Sequence, residues 1–448
     1  MDKELSLAIL YFAFTATAWG FVGLRIRGRL NLLYSQPLYM FILAVGMIYG
    51  LVPLLKKLYG IQSYPFYYSV SAEVFAILLV GIYVLSCVVG YILAGGFIRQ
   101  SLPLVRPLTR RESFRLFLLV GAPSFLALVY LLQMISAHDF SEYMKNRIMV
   151  RRGMGPVVVV SFASVCYGAA LLVNYLSQRR AGNDKWTQIV HLAAVGLAVT
   201  LIFTVIGNRN FAFTYLAICG LAVMSTIRVQ LHKSLLVLPL MICLAFGFSL
   251  WAKVRNSPDT ANINAVLGGG VPELVVSGLS GGFGNGENLV WLSQHSDEWD
   301  PLYGATVGAA LVNPVPRAIW PNKPFGGGPA LRNIIYPGSY VLDGERITSY
   351  TTGAPTEGYI NFGALGVLFF GVVNGALLGI VKRVYRRRSQ VTGVGVVMYS
   401  FTIFMLAFGF LYMELLGGWS RYFIVSLMLV SVAWMGNRRI VVGQRSEL

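Results

Sequence analysis

Charge is scarce in this chain of 448 residues: Asp, Glu, Lys and Arg together make up 12% of it, against roughly 25% in an ordinary soluble domain. That shortage excludes a water-soluble globular protein. Cysteine is scarce too, and Cys87, Cys166, Cys219 and Cys243 all fall inside apolar runs. No polar loop carries one, which excludes a loop disulfide framework and a cysteine-based metal site. Of the four histidines, His138 and His295 lie in polar loops and are candidate bases, whereas His191 and His232 read as structural or surface residues. Internal repeats and low-complexity tracts are absent. The first apolar run is expected to be a span and not a secretion signal, whose positive charge precedes its apolar core: here Asp2, Lys3 and Glu4 nearly cancel, and Arg25, Arg27 and Arg29 follow the run.

What the chain has in abundance is apolar surface, 56% of its residues, in long runs. A helix needs about 20 such residues to cross a bilayer. The runs predict an all-α polytopic membrane protein with eleven spans, near 6–23, 37–55, 71–94, 116–135, 156–177, 186–206, 211–227, 234–252, 358–380, 391–410 and 422–437. Alternate loops differ sharply in charge. Residues 24–36, 95–115, 178–185, 228–233, 381–390 and 438–448 hold 21 of the 36 Lys and Arg and only three acids, the whole formal excess of +18. Lys and Arg accumulate in cytoplasmic loops, so this side is expected inside, with the N-terminus outside and the C-terminus inside. The excess is a topology signal and gives no reason to invoke nucleic acid.

The expected organisation is a bundle of eight spans over 1–252, a large external loop over 253–357, and three further spans over 358–448. Loops beyond about 15 residues are usually functional or disordered. This one holds Trp291, Trp299 and Trp320, several tyrosines and moderately apolar segments near 264–279 and 303–312, a composition that favours order. One or two short helices on the outer membrane surface are expected. Its stretch "NPVPRAIWPNKP" (313–324) carries four prolines; proline fixes φ and removes a donor, so the segment is stiff and reads either as a strap holding Arg317 and Lys323 over the bundle mouth, with "GGGP" as its hinge, or as a structural crossover without ligand contact.

Several constellations could carry chemistry. The external loop 136–156 holds Lys145, Arg147, Arg151 and Arg152, with Gly153 and Gly155, on the side that should be poor in cations. It reads either as a solvated turn or as a cradle for phosphate, whose oxygens Arg forks bind in pairs. Arg209, in a four-residue link before a span, either snorkels or points into the outer mouth of the bundle. The long loop adds Arg317, Lys323, Arg332 and Arg346, and ends at Glu357, where the chain re-enters the membrane. Desolvation at such an edge favours a protonated carboxyl and a nearby Arg restores the ionised form. That balance suits a general base, although an acid pairing with an Arg at a helix start is equally ordinary. Asp297, Glu298 and Asp300 are the only clustered acids of the loop; a solvated turn is the simpler reading than a divalent-cation site. Glu414 and Arg421 bracket the last external turn and read as an ion pair.

In order, "LYGAT" (302–306), "PRAIWPNKP" (316–324), a Ser/Thr-rich run and "GAPTEGYINFGALG" (353–366) opening a span resemble the O-antigen polymerase family, the Wzy-type oligosaccharide repeat-unit polymerases. Gly207-Asn208-Arg209 before a span and the Arg/Gly-rich segment 147–155 are similar to the same family. The resemblance implies a fold like the large membrane glycosyltransferases called GT-C, in the bacterial inner membrane, acting at its periplasmic face. It implies transfer of a growing glycan from undecaprenyl pyrophosphate to another carrier-linked repeat unit, with membrane lipids and a chain-length regulator protein as partners and no cofactor. On that reading Glu357 is the base of an inverting, metal-independent displacement. Arg147, Arg151, Arg152, Arg209 and Arg317 stabilise the leaving diphosphate, as fixed charge does where negative charge builds. Lys323, Arg332, Arg346, Tyr303, Trp320, Tyr359 and Asn361 contact the sugars. An O-antigen ligase, expected to use a loop histidine, and a lipid-linked oligosaccharide flippase, expected to bury ionisable groups mid-span, are the alternatives.

Overall fold

A bilayer offers backbone amides no partner, so an apolar run crosses it as a helix that satisfies its own hydrogen bonds. The computed structural model describes residues 3–27, 29–61, 68–98, 101–136, 155–180, 196, 209–226, 275–276, 278–280, 283–313, 315, 319–341 and 349–437. Among these are eight helices long and apolar enough to cross a membrane. They are α1 (Lys3–Ile26), α2 (Pro37–Leu58), α3 (Val70–Leu93), α4 (Arg110–Met134), α5 (Gly155–Arg180), then α10 (Gly353–Arg386), α11 (Gly393–Tyr412) and α12 (Leu415–Asn437). A shorter apolar helix, α6 (Arg209–Thr226), stands at the seventh expected span. The sixth and eighth expected spans lie outside the described residues. Several boundaries differ from expectation: the fourth span begins at Arg110, not 116, the ninth runs Gly353–Arg386, not 358–380, and the last begins at Leu415, not 422. In each place the helix continues outward through residues that interrupt the apolar run.

The large loop contributes α7 (Gly286–Gln294), α8 (Ala305–Leu311) and α9 (Gly327–Ile335). Instead of lying flat on a surface, α7 buries Leu289, Val290, Trp291 and Leu292 and packs on α3, while α8 packs on α12. A two-stranded parallel ladder joins β1 (Leu104–Arg106) to β2 (Gln390–Thr392), a small β element outside the all-α expectation.

The centre of the bundle is α11, 89% buried, with Phe401, Phe404 and Phe408 in aromatic contacts that reach Phe162 and Phe213. The tightest seam joins α3 and α10. A Cβ on Gly375 would lie 1.8 Å from the Cys87 carbonyl oxygen, and one on Gly90 2.0 Å from that of Val372. Small residues let two backbones touch in this way, which drives association where apolar burial alone cannot.

Loops that the charge count groups together meet at one end. Lys382 donates to the Gln36 side chain at 2.8 Å and to the Gly96 carbonyl, and Arg386 donates to the Ser35 carbonyl at 3.1 Å. Loops 24–36, 95–115 and 381–390 therefore share one end, where β1 and β2 also pair. The opposite end gathers a network of ion pairs: Lys57 with Glu4 and, at 2.6 Å, Glu73, and Lys56 with Glu287 of α7. Tyr11 donates to the other Glu73 oxygen at 3.0 Å.

Gly375→Val is expected to lower the thermal midpoint of detergent-solubilised protein, with a destabilisation of about 3 kcal/mol from overpacking. Gly81→Ala on α3, where a Cβ meets nothing within 4 Å, should leave the midpoint unchanged. Equal effects of the two would contradict the seam.

Candidate functional site

Where the large loop returns to the bundle, the chain must turn into α10. Gly353 makes that turn at φ +71°, and a Cβ there would sit 2.2 Å from the Leu411 carbonyl oxygen; a left-handed backbone in so tight a space calls for glycine. Two asparagines of the loop hold the approach. Asn285 donates to the Thr352 and Leu411 carbonyls at 3.2 and 2.9 Å, and Asn288 to the Thr351 carbonyl at 2.6 Å.

Glu357, one turn into α10, is 0% exposed. Its Oε2 accepts from the backbone N–H of Leu415 at 2.7 Å and from the Thr352 hydroxyl at 3.1 Å. Its Oε1 is buried with no hydrogen-bond partner. Leu415 is the first residue of α12, so the carboxylate faces the positive end of that helix's dipole. Glu414, the preceding residue, behaves in a parallel way: its Oε2 accepts from the Gly328 N–H at 2.7 Å, in the first turn of α9. Burial pushes the Glu414 carboxyl above the usual range, opposed by the Gly328 N–H and the charge of Arg421.

The three glycines at 326–328 explain themselves here. A Cβ on Gly327 would lie 2.7 Å from the Glu357 carboxyl carbon, and one on Gly328 2.9 Å from Glu414 Oε2. Only bare backbone can pass so close to both acids.

Just beyond Glu357 α10 breaks, at Phe362 and at Gly363 with φ +60°. The break leaves helix carbonyls without their usual donors, and the "LYG" segment supplies replacements. Leu302 and Tyr303 donate their N–H groups to the Ile360 and Asn361 carbonyls at 2.8 and 3.1 Å, and Gly304 donates to Asn361 Oδ1 at 3.0 Å. Asn361 Nδ2 donates to Thr306 and to the Glu357 carbonyl, each at 2.7 Å. The motif in the middle of the loop and the one at its end thus bind each other, one helical turn from Glu357.

A cavity of about 810 Å³ runs beside this cluster. Its walls come from α8, α10 and α12, among them Ala310, Phe369, Val373, Trp419 and Phe423, with Asn313 and Ser420 at a polar spot. Phe369 and Phe423 also show on the outer surface of the bundle, so the groove is open sideways, toward the region lipid would occupy. Leu415 lines it while bonding Glu357 from behind.

The other expected site residues divide. Lys145, Arg147, Arg151, Arg152, Arg317 and Arg346 lie outside the described residues, as does His138. Arg209 is the first residue of α6. Lys323 is turned into its own loop, donating to the Asn313 and Val315 carbonyls at 3.2 and 3.1 Å. That commits the ammonium to carbonyls of the proline-rich strap itself. Arg332 donates to Ser339 at 3.1 Å. Tyr359 is buried in edge contacts with Trp299 and Phe75, and Asn361 is committed as above. Tyr303 and Trp320 are exposed. Asp297, Glu298 and Asp300 sit on an exposed turn, and His295 stacks on Trp291.

Two expectations are corrected. No described cation lies within ion-pair distance of Glu357; the positive end of α12 takes the place of the expected arginine. Glu414 does not pair with Arg421 but caps α9. Glu414, Thr352, Asn285 and the glycine triplet are the residues that sequence reasoning undervalued. The signal for them was an acid between two spans and three consecutive glycines before a proline. Comparison with known proteins adds no identification: no family model, curated protein or solved structure matches the chain.

Asn361→Leu is expected to cost stability as well as any activity. It strands the half-buried Gly304 N–H and frees the break in α10, a loss of about 1 to 2 kcal/mol. A lower thermal midpoint, together with faster proteolysis near residue 304, is the readout; an unchanged midpoint would mean that Asn361 is free to serve a ligand alone.

Proposed function

We propose that this protein is a membrane glycosyltransferase that polymerises undecaprenyl-pyrophosphate-linked oligosaccharide repeat units into a surface polysaccharide, at the periplasmic face of a bacterial inner membrane. The observation that carries the reading is the pairing of Glu357, a buried carboxylate with one unpartnered oxygen, with an apolar groove open sideways along the spans. A carboxylate held this way accepts a proton from a hydroxyl brought against it. A groove of that chemistry takes a prenyl chain whose head group must stay at the membrane surface.

In the displacement, the acceptor hydroxyl oxygen attacks the anomeric carbon of the donor glycan. The bond from that carbon to the pyrophosphate oxygen breaks, and the lipid pyrophosphate leaves with the electron pair. Glu357 Oε1 takes the hydroxyl proton. One displacement at one centre inverts its configuration. Negative charge on the departing diphosphate is stabilised by fixed cations, for which Arg147, Arg151, Arg152, Arg209 and Arg317 are proposed. The acids Glu357 and Glu414 repel a diphosphate from their own side, which places the leaving group across the scissile bond from them. The charge asymmetry of the loops supports the proposed topology, with this end of the bundle outside, the N-terminus periplasmic and the C-terminus cytoplasmic.

Glu357→Gln keeps an acceptor for the Leu415 N–H but removes the base. In cells lacking the native protein it should yield surface glycan capped with a single repeat unit, at normal protein abundance. Long chains at wild-type abundance would sink the assignment. Arg209→Ala and Arg317→Ala should also abolish long chains, with partial rescue by Lys, and a chelator should leave polymer length unchanged.

A further inference from the structure

We infer that Gly326–Gly328 form a lid over Glu357 and that Glu414 is the positioning residue that latches it. The inference rests on the reading of Glu357 as a proton acceptor, but its central test does not depend on which reaction follows.

Glu357 must meet a hydroxyl oxygen at about 2.6 to 3.2 Å to act. In this structure it is sealed, 0% exposed, with Oε1 buried and unpartnered. Among its neighbours, Thr352 and Leu415 hold Oε2 by hydrogen bonds and stand at the starts of α10 and α12. A third neighbour is the backbone at Gly327, which lies directly against the carboxyl.

This third neighbour is built to separate. Glycine backbone has no side chain to interlock with its neighbours, and it has the largest set of alternative conformations of any residue. The far end of α9 is fixed: Leu331 and Ile335 are buried there, Asn333 Oδ1 accepts from the Tyr340 N–H at 2.9 Å, and Arg332 donates to Ser339. The near end is tethered by the Gly328 N–H to Glu414 Oε2 bond at 2.7 Å, beside the edge contact of Phe325 with Tyr340. A charge-assisted bond of this kind is about twice as strong as a neutral one, yet it is a single bond. Opening α9 at this end exposes Glu357 Oε1 next to Leu415 and the groove. Closing it excludes water from the carboxylate when no substrate is present.

The test measures how fast Glu357 in the full chain, in membranes, is labelled by dicyclohexylcarbodiimide, read by mass spectrometry. Gly326→Cys with Leu416→Cys gives a lock, because the two Cβ positions are 3.1 Å apart, within a few tenths of an ångström of the roughly 3.5 to 4.5 Å of a disulfide. Oxidation of this pair is expected to slow labelling about tenfold and reduction to restore it, while the wild type is indifferent to oxidant. Glu414→Ala should raise the labelling rate about tenfold, and Glu414→Gln, whose amide oxygen still accepts from Gly328, should return most of the way to wild type. Labelling that ignores both the disulfide and the latch would overturn the lid. Labelling that responds while Glu357→Gln still makes long polymer would keep the lid and overturn Glu357 as the proton acceptor.

Discussion

The cost of removing a carboxylate from water governs this site. An isolated buried charge is several kilocalories per mole too expensive to keep, and Glu357 has no described cation to offset it. The chain solves this with backbone. The N-terminus of α12 gives Glu357 an N–H, the N-terminus of α9 gives Glu414 another, and each helix end adds the positive potential of its unpaired amides. Much else at this end of the bundle follows: the left-handed Gly353, the glycine triplet that passes over both acids, and the asparagines that fix residues 351–352.

The second organising feature is the break in α10. A helix of 34 residues at 1.5 Å per residue is about 50 Å long, well beyond a hydrocarbon core of about 30 Å. The break at Phe362–Gly363 divides it into a short buried segment carrying Glu357 and a longer segment suited to crossing. Clamping by Leu302–Gly304 and Thr306 makes the geometry unique, because the loop and the broken helix each satisfy the other's backbone. The site is therefore rigid where Glu357 is anchored and glycine-built where it is covered.

Much of this was legible in the sequence. The spans follow from apolar length, and the grouping of basic loops follows from the positive-inside bias; both depend on bulk transfer energies that every residue contributes to. Glu357 was found because an acid at the start of an apolar run is costly without a purpose. What the sequence hid was partnership. Nothing local in "GGGP" tells a hinge from a close approach, since the deciding atoms are the carboxylates of Glu357 and Glu414, 30 and more positions away. The same holds for Lys323, whose charge reads as a ligand contact until the Asn313 and Val315 carbonyls are seen to take it. Asn361 likewise reads as a sugar contact until the break it repairs is visible.

Two acids so near each other define two mechanisms: a second carboxylate can be a nucleophile as readily as a latch. The stereochemistry of a single turnover separates them. With purified protein and a synthetic prenyl-pyrophosphate oligosaccharide of known anomeric configuration, nuclear magnetic resonance of the first coupled product reads the new linkage. The account requires inversion, since Glu357 only removes a proton and Glu414 never touches the sugar. Retention would mean a glycosyl-carboxylate intermediate and would contradict it.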